Sequence, residues 1–287
     1  MFDFAGKVAV ITGAASGFGR AFADKGAALG MKLVLADIDE AALARAVDEL
    51  RGAGAQVIGV RTDVSREADV AALAQATLDA FGKVHLLFNN AGVATVGFIW
   101  ENSAHDWSWV FGVNVMGVAN GVRVFTPIML QQNEAAHIVN TSSVAGLVTA
   151  PGIGVYNASK HAVVALSETL YHDLRNAGAP IGCSLLCPAF VPTGIADAER
   201  TRPAELRNEG APTRSQQAAG LQLQRAVQSG KQTAADIAEQ TFDAVREGRF
   251  YVLTHPAIMD SIKQRHADIE EARVPGVPVK LESKQAQ

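Results

Sequence analysis

Tyr156 and Lys160 stand four residues apart in the stretch YNASK. Of the three tyrosines in the chain, only Tyr156 has a lysine at that spacing. On a helix the spacing puts both side chains on one face. A free phenol has a pKa of about 10 and is almost wholly protonated near neutrality. A cation about 4 Å away, at an effective dielectric of about 20, is worth roughly 4 kcal/mol, close to three pKa units. Lys160 is therefore expected to lower the Tyr156 pKa into the range of general acid–base work. Taken alone, a Tyr-x-x-x-Lys pair is common on ordinary helices.

A second set of residues could hold a phosphate. The run Val8-Ala9-Val10-Ile11 leads into TGAASGFG, which places Gly13, Gly17 and Gly19 within seven residues. Glycine permits positive φ and lets the backbone approach an anion closely. A helix starting in the loop turns its free N–H groups and positive dipole end toward that anion. The spacing is G-x-x-x-G-x-G, not the widely quoted G-x-G-x-x-G. Placement between a buried strand and a helix therefore carries the reading. Gly13 is expected to make the turn, and Gly17 and Gly19 to allow close approach and helix–strand packing. Arg20 is expected to be an exposed helix residue.

Asp37 ends the run KLVLAD, 18 residues after Gly19. A carboxylate there can accept hydrogen bonds from both hydroxyls of an adenosine ribose. It would repel a 2'-phosphate by roughly 1 to 4 kcal/mol at about 4 Å. No Lys or Arg replaces or immediately follows it, so NAD is expected over NADP. Asp39 is equally placed to cap the next helix. Asp63, at the end of the third strand, either contacts the adenine or caps the following helix; the sequence leaves both open. The small residues of NNAG, 89–92, would let the chain pass beneath a flat cofactor.

These residues need a frame, and the chain provides one. Apolar runs (KVAVIT, KLVLAD, QVIGVRTD, HLLFNNAG, HIVNTSS, IGCSLLCP, FYVLT) alternate with helix-like segments near 17–29, 39–51, 66–81, 106–130, 156–176 and 234–246. Near-continuous apolar strands each followed by a helix predict a parallel sheet covered on both faces. The expected fold is α/β: a single doubly wound Rossmann-type domain over residues 1–270, with a mainly parallel seven-stranded sheet. Some forty residues after Pro188 make no strand. The segment at about 189–232 is expected to be a helical substrate lid, since ligands bind outside the carboxyl ends of such strands. Residues 271–287 are expected to form a loose C-terminal tail.

Bulk properties agree with a globular chain that has a sizeable buried core. The 287 residues are 48% hydrophobic and 19% charged, with a net charge of -4. Nothing in that balance suggests a grip on nucleic acid. No apolar run approaches the ~18 residues needed to span a bilayer, so no membrane partner is expected. Cys183 and Cys187 are expected to be buried thiols on one face of one strand, in a reducing, cytoplasmic compartment. No H-E-x-x-H or G-x-S-x-G motif occurs, and no metal is expected. His85 and His161 are expected to be packed or solvent-facing.

Taken together, TGAASGFG, NNAG, Asn114 in GVNVMG, Ser143 in NTSS and YNASK resemble the classical short-chain dehydrogenase/reductase family, in order and at its usual spacing over about residues 5–255. The resemblance implies an NAD(P)-dependent enzyme acting on an alcohol or ketone. Tyr156 would be the general acid/base and Lys160 would lower its pKa and hold the nicotinamide ribose. Ser143 would bind the substrate oxygen, and Asn114 would hold a water in a proton relay. The implied cofactor contacts also include Ser16, Phe18, Ile38, Val64, Asn90, Ala91, Gly92, Pro188, Val191 and Thr193. Substrate contacts would include Val144, Ala145 and Phe190. Val93, Val96, Leu147 and Val148 are further candidates for an apolar lining. Pro188-Ala189 departs from the family's usual Pro-Gly. The stretches after the sixth strand and near the carboxyl end are similar to dehydrogenases of bulky benzylic secondary alcohols, including those oxidising lignin-derived aryl ethers, and to bulky-ketone alcohol dehydrogenases. The family also implies a homotetramer or homodimer packed through the two long helices. The same fold also leaves room for a non-catalytic NAD(P) sensor, or for a reductase of steroids, sugars or acyl chains.

Overall fold

The computed structural model describes residues 2–276. It opens with β1 (Val8–Thr12), α1 (Gly17–Ala28), β2 (Lys32–Asp37), α2 (Glu40–Gly52), β3 (Val57–Arg61), α3 (Glu67–Phe81) and β4 (Leu86–Asn89). There follow α4 (Ala104–Phe111), α5 (Gly117–Gln132), β5 (Ala136–Thr141), α6 (Gly154–Asn176) and β6 (Ile181–Cys187). The chain closes with α7 (Arg214–Gln228), α8 (Ala234–Glu247), β7 (Tyr251–Leu253) and α9 (Ile258–Glu270). The seven strands form one sheet in the order β3-β2-β1-β4-β5-β6-β7. Every pairing is parallel, so the sheet is wholly rather than mainly parallel. Of the expected 271–287 tail, residues 277–287 lie outside the described residues.

Strand periodicity sorts the core into two layers. In β1, Ala9 and Ile11 face one way, and Val8 and Val10 the other. The first face meets α1, α2 and α8, where Phe22 stacks on Phe88 with centroids 4.6 Å apart. The second face meets α3, α5 and α6 through Leu73, Phe125, Met129, Leu170 and Leu174. Burial of both faces explains why the strands read as unbroken apolar runs. Cys183 and Cys187 are free and buried in β6.

The helix expected over 106–130 is one rod of three parts. α4 starts earlier, at Ala104, because Ser103 and Asp106 form a capping box there. A π-turn, Gly112–Met116, then joins α4 to α5. The 104–132 rod is long and apolar enough to cross a membrane by composition alone. Its Val118, Phe125 and Met129 are buried in the core of the fold.

Strand order reverses between β1 and β4, and this switch point opens a crevice at the strands' carboxyl ends. Thr12, the last residue of β1, stitches it together. Its hydroxyl donates to the Phe88 carbonyl (3.1 Å) and accepts from the N–H groups of Asn90 (2.9 Å) and Ala91 (3.1 Å).

Candidate active site

The glycine loop leaves β1 and starts α1 as its spacing predicts. Gly13 and Gly17 take φ of +64° and +54°, a region side chains rarely adopt. A Cβ on Gly19 would lie 2.0 Å from the Gly13 carbonyl oxygen, backbone against backbone. Gly19 thus lets α1 begin directly behind the loop. Ser16 is the N-cap residue of α1, and its side chain makes no cap hydrogen bond. The cleft in front has a volume of about 230 Å³, and Gly13, Ser16, Gly17 and Phe18 form one end of its wall.

Asp37 and Ile38 line the same cleft. The Asp37 carboxylate accepts from the N–H groups of Ala15 (2.9 Å) and Asp39 (3.0 Å). Those two bonds fix its orientation. Asp39 caps α2 by accepting from Ala42 N–H at 3.0 Å, which leaves Asp37 without that duty. Asp63 and Val64 line the cleft next along. Asp63 accepts from both the N–H (3.0 Å) and the hydroxyl (2.6 Å) of Ser65. That is a turn two residues long, not a cap on α3, whose N-cap residue is Arg66. Asn90, Ala91 and Gly92 continue the wall, with Asn90 tied to the Thr12 carbonyl at 3.0 Å.

β5 and α6 bring in the acid–base groups. Ser143, Tyr156 and Lys160 all reach the cleft wall, with Pro188. Ser143 accepts from Ala145 N–H (3.1 Å) and donates to the Pro188 carbonyl (3.3 Å). The Lys160 ammonium donates to the Thr141 carbonyl at 2.9 Å and lies 5.6 Å from the centre of the Tyr156 ring. Ser142 points elsewhere, to the Lys160 carbonyl at 2.9 Å. A Cβ on Gly92 would sit 3.5 Å from both the Lys160 ammonium and the Asn114 oxygen. The bare backbone of Gly92 therefore leaves room beside both groups.

Desolvation acts on this pair alongside the attraction that their spacing predicts. It pushes the Tyr156 phenol up to about 12, with the nearby Ser143 hydroxyl working the other way. Desolvation pulls Lys160 down to about 8. Burial therefore opposes the lowering of the phenol pKa that the Tyr156–Lys160 spacing predicts.

Asn114 sits inside the π-turn and is fully buried. Its side chain accepts from Val93 N–H (2.8 Å) and donates to the Val93 carbonyl (2.9 Å) and the Ser159 hydroxyl (3.0 Å). The amide thus ties the loop after β4 to α6, and both of its ends are engaged by protein.

Several residues fall elsewhere than expected. Val191 is buried in the core of the α1–α8 layer, not on the cleft wall. Val144, Ala145 and Phe190 are not on that wall either. Val144 and Ala145 belong to a short 3-10 turn, and Ala145 is buried. Val148 lines a separate cavity beside α9, and Val96 a third beside α7. Leu147 packs against the core layer of Val163 and Leu185. Thr193 lies against the glycine loop, 3.5 Å from where a Gly17 Cβ would be. Alternation along a strand says nothing about loops, so these side-chain directions were not legible. His85 is buried between Val8 N–H and Glu134, and His161 bonds its own helix.

The sequence reading missed cleft residues supplied from far along the chain. Trp109 of α4 and Ile195, Ala198, Arg200 and Leu206 of the segment after β6 close the front of the cleft. Arg202 anchors that segment. It is buried, stacks over Trp109 at 4.8 Å, and pairs with the buried Asp106 at 2.8 Å. Arg202 also donates to the Leu206 carbonyl at 2.7 Å.

A parallel doubly wound sheet with a glycine-lined cleft at its switch point, and Ser, Tyr and Lys on its wall, defines a nucleotide-type α/β oxidoreductase. Family comparison agrees: the short chain dehydrogenase family model matches residues 7–204. The chain belongs to the short-chain dehydrogenase/reductase family. It is 38% identical to a CLA biosynthesis dehydrogenase/reductase of Lactiplantibacillus plantarum, over 97% of this chain and 98% of that protein. It is 33% identical to a C alpha-dehydrogenase of Sphingobium sp. (strain NBRC 103272 / SYK-6), over 95% of this chain and 92% of that one. A short-chain dehydrogenase/reductase from Burkholderia phymatum, solved in complex with NAD, superposes with a TM-score of 0.97. That protein is 74% identical, with 98% of this chain and 100% of the other covered.

Proposed function

We propose that the chain is an NAD-linked dehydrogenase that interconverts a secondary alcohol and its ketone, the substituents being bulky and apolar or aryl. The observation that carries this is the convergence of Ser143, Tyr156 and Lys160 on the cleft that Gly13, Gly17, Asp37 and Gly92 also line. The residues present fit a dinucleotide. The positive-φ glycines leave the backbone bare where a diphosphate would lie, and Asp37 faces the cleft with its orientation fixed. When bound, the nicotinamide cofactor supplies or accepts the hydride.

The chain's own groups handle the oxygen and its proton. In ketone reduction Tyr156 donates its hydroxyl proton to the carbonyl oxygen, and in alcohol oxidation it removes that proton. The Ser143 hydroxyl hydrogen-bonds the same oxygen as charge develops there. Lys160, held by the Thr141 carbonyl, keeps a cation beside the ring and faces the bare Gly92 backbone. Asn114 positions the loop after β4. A water held at Asn114 would serve the proton relay that the family resemblance implies.

Val93, Trp109, Val113, Ile195 and Leu206 give the cleft an apolar wall, which supports a bulky hydrophobic substrate. The C alpha-dehydrogenase relative supports an aryl one. The NAD bound to the Burkholderia phymatum protein supports the cofactor choice. We further propose that residues 1–270 act as one unit with 189–232 as lid. Assembly is as a homotetramer or homodimer through α5 and α6; exposed Met116 and Leu130 on the outer side of that rod support this. Free, buried cysteines support a cytoplasmic setting.

Tyr156→Phe tests the reading. Turnover should fall by at least about 10²- to 10⁴-fold, followed by absorbance of the reduced nicotinamide across benzylic, aliphatic, steroid and sugar alcohols. NAD affinity should stay close to that of the unaltered protein. Undiminished turnover in this variant would overturn the proposed role.

A further inference from the structure

Two arginines two residues apart hold the segment after β6 in opposite ways. Arg202 is 1% exposed and locked between Trp109 and Asp106. Arg200 is 49% exposed, and its guanidinium pairs with Asp39 at 2.7 Å. A buried pair of that kind does not come apart without a large penalty. An exposed pair opens and closes at little cost and is screened by salt. The segment therefore has a fixed end and a releasable end.

The releasable end lies over the nucleotide side of the cleft. Thr193, where the segment begins, rests on Gly17. Arg200 shares the cleft wall with Asp37 and Ile38. Its partner Asp39 donates its N–H to Asp37 at 3.0 Å. The ion pair thus joins the segment to the carboxylate assigned to the ribose, through a single backbone step.

We propose that Arg200 is a cofactor-retaining residue, whose pairing with Asp39 straps residues 193–201 across the adenosine end of a bound dinucleotide. This rests on the proposed NAD-linked function. Asp39 keeps its capping role whether or not Arg200 is present, because its other oxygen serves Ala42. The strap can therefore release without unwinding α2. A dinucleotide trying to leave must break the pair, so its loss acts on the rate of escape.

The test is calorimetric titration of NAD into four proteins: unaltered, Arg200→Met, Asp39→Asn and the double variant, each at low and high salt. Asparagine still caps a helix, so Asp39→Asn removes the charge and keeps α2. Each single variant should bind NAD about three- to fivefold more weakly at low salt, the range of an exposed pair. The double variant should lose no more than either single one. At about half-molar salt the four should converge. Equal affinities at low salt, additive losses, or a loss confined to Arg200→Met would overturn the strap alone. No NAD binding by the unaltered protein would overturn the proposed function and the strap with it.

Discussion

Lys160→Met should make the protein more stable near neutrality while removing its activity. The reason is the cost of keeping a cation where the structure buries it. Burial lowers the Lys160 pKa from 10.5 to about 8, a shift worth about 3 kcal/mol at about 1.36 kcal/mol per unit. Below pH 8 both folded and unfolded chains hold this proton, so the folded state bears the whole penalty. Between pH 8 and about 10 the folded chain has released the proton and the unfolded one has not. Stability then rises with pH, because the unfolded state binds more protons. Methionine carries no charge to bury, but it leaves the Thr141 carbonyl without its 2.9 Å donor. Leaving that buried acceptor unpaired costs about 1 to 3 kcal/mol.

The net gain at pH 7 is then at most about 2 kcal/mol, or up to roughly 3 °C in melting temperature for a chain of this size. The gain should shrink toward zero, or reverse, by pH 10. Above that pH, Tyr156 obscures the comparison. Its folded pKa near 12 exceeds the ordinary 10.0, so its contribution is lost as pH rises past 10. Thermal melts of both proteins at pH 7 and at pH 9.5, at one protein concentration and followed by tryptophan fluorescence, would measure the difference. A variant less stable than the parent at pH 7, or a difference unchanged between the two pH values, would refute the reasoning.

Asp37→Ser should weaken NAD preference, since removing the carboxylate removes roughly 1 to 4 kcal/mol of repulsion toward a 2'-phosphate. Parallel titrations of NAD and NADP would show it, and an unchanged ratio would count against Asp37. Gly19→Ala should destabilise the protein by at least about 3 kcal/mol and abolish nucleotide binding. The new Cβ would meet the Gly13 carbonyl 2.0 Å away, and neither backbone can yield cheaply. Denaturant unfolding checks it; a fully stable variant would mean the loop has slack. Arg202→Met should leave Asp106 buried without its cation, at a cost of about 3 to 5 kcal/mol. Limited proteolysis should then cut within 194–213 much faster than in the parent, and equal rates would show that the anchor lies elsewhere.

The strands were legible because burial on both faces writes an unbroken apolar run, and each was followed by a helical period. The glycine loop was legible because only glycine meets the backbone demands at positions 13, 17 and 19. The Tyr156–Lys160 pair was legible because four residues on a helix guarantee a shared face. All three are local: the physics acts between residues close in sequence. The cleft's front wall was not legible, because Trp109, Arg200 and Leu206 arrive there only through tertiary packing. Nor were the side-chain directions of Val144, Phe190 and Val191, which loops set without a period.

The sharpest division falls on the catalytic pair itself. Sequence alone determined that a phenol and an ammonium share one helix face; the family resemblance implied that Ser143 joins them. Tertiary structure decided what their protons do, because the pKa of each depends on how much water its surroundings exclude. Spacing predicted attraction between the two groups, and packing added a desolvation that raises the Tyr156 pKa and lowers that of Lys160.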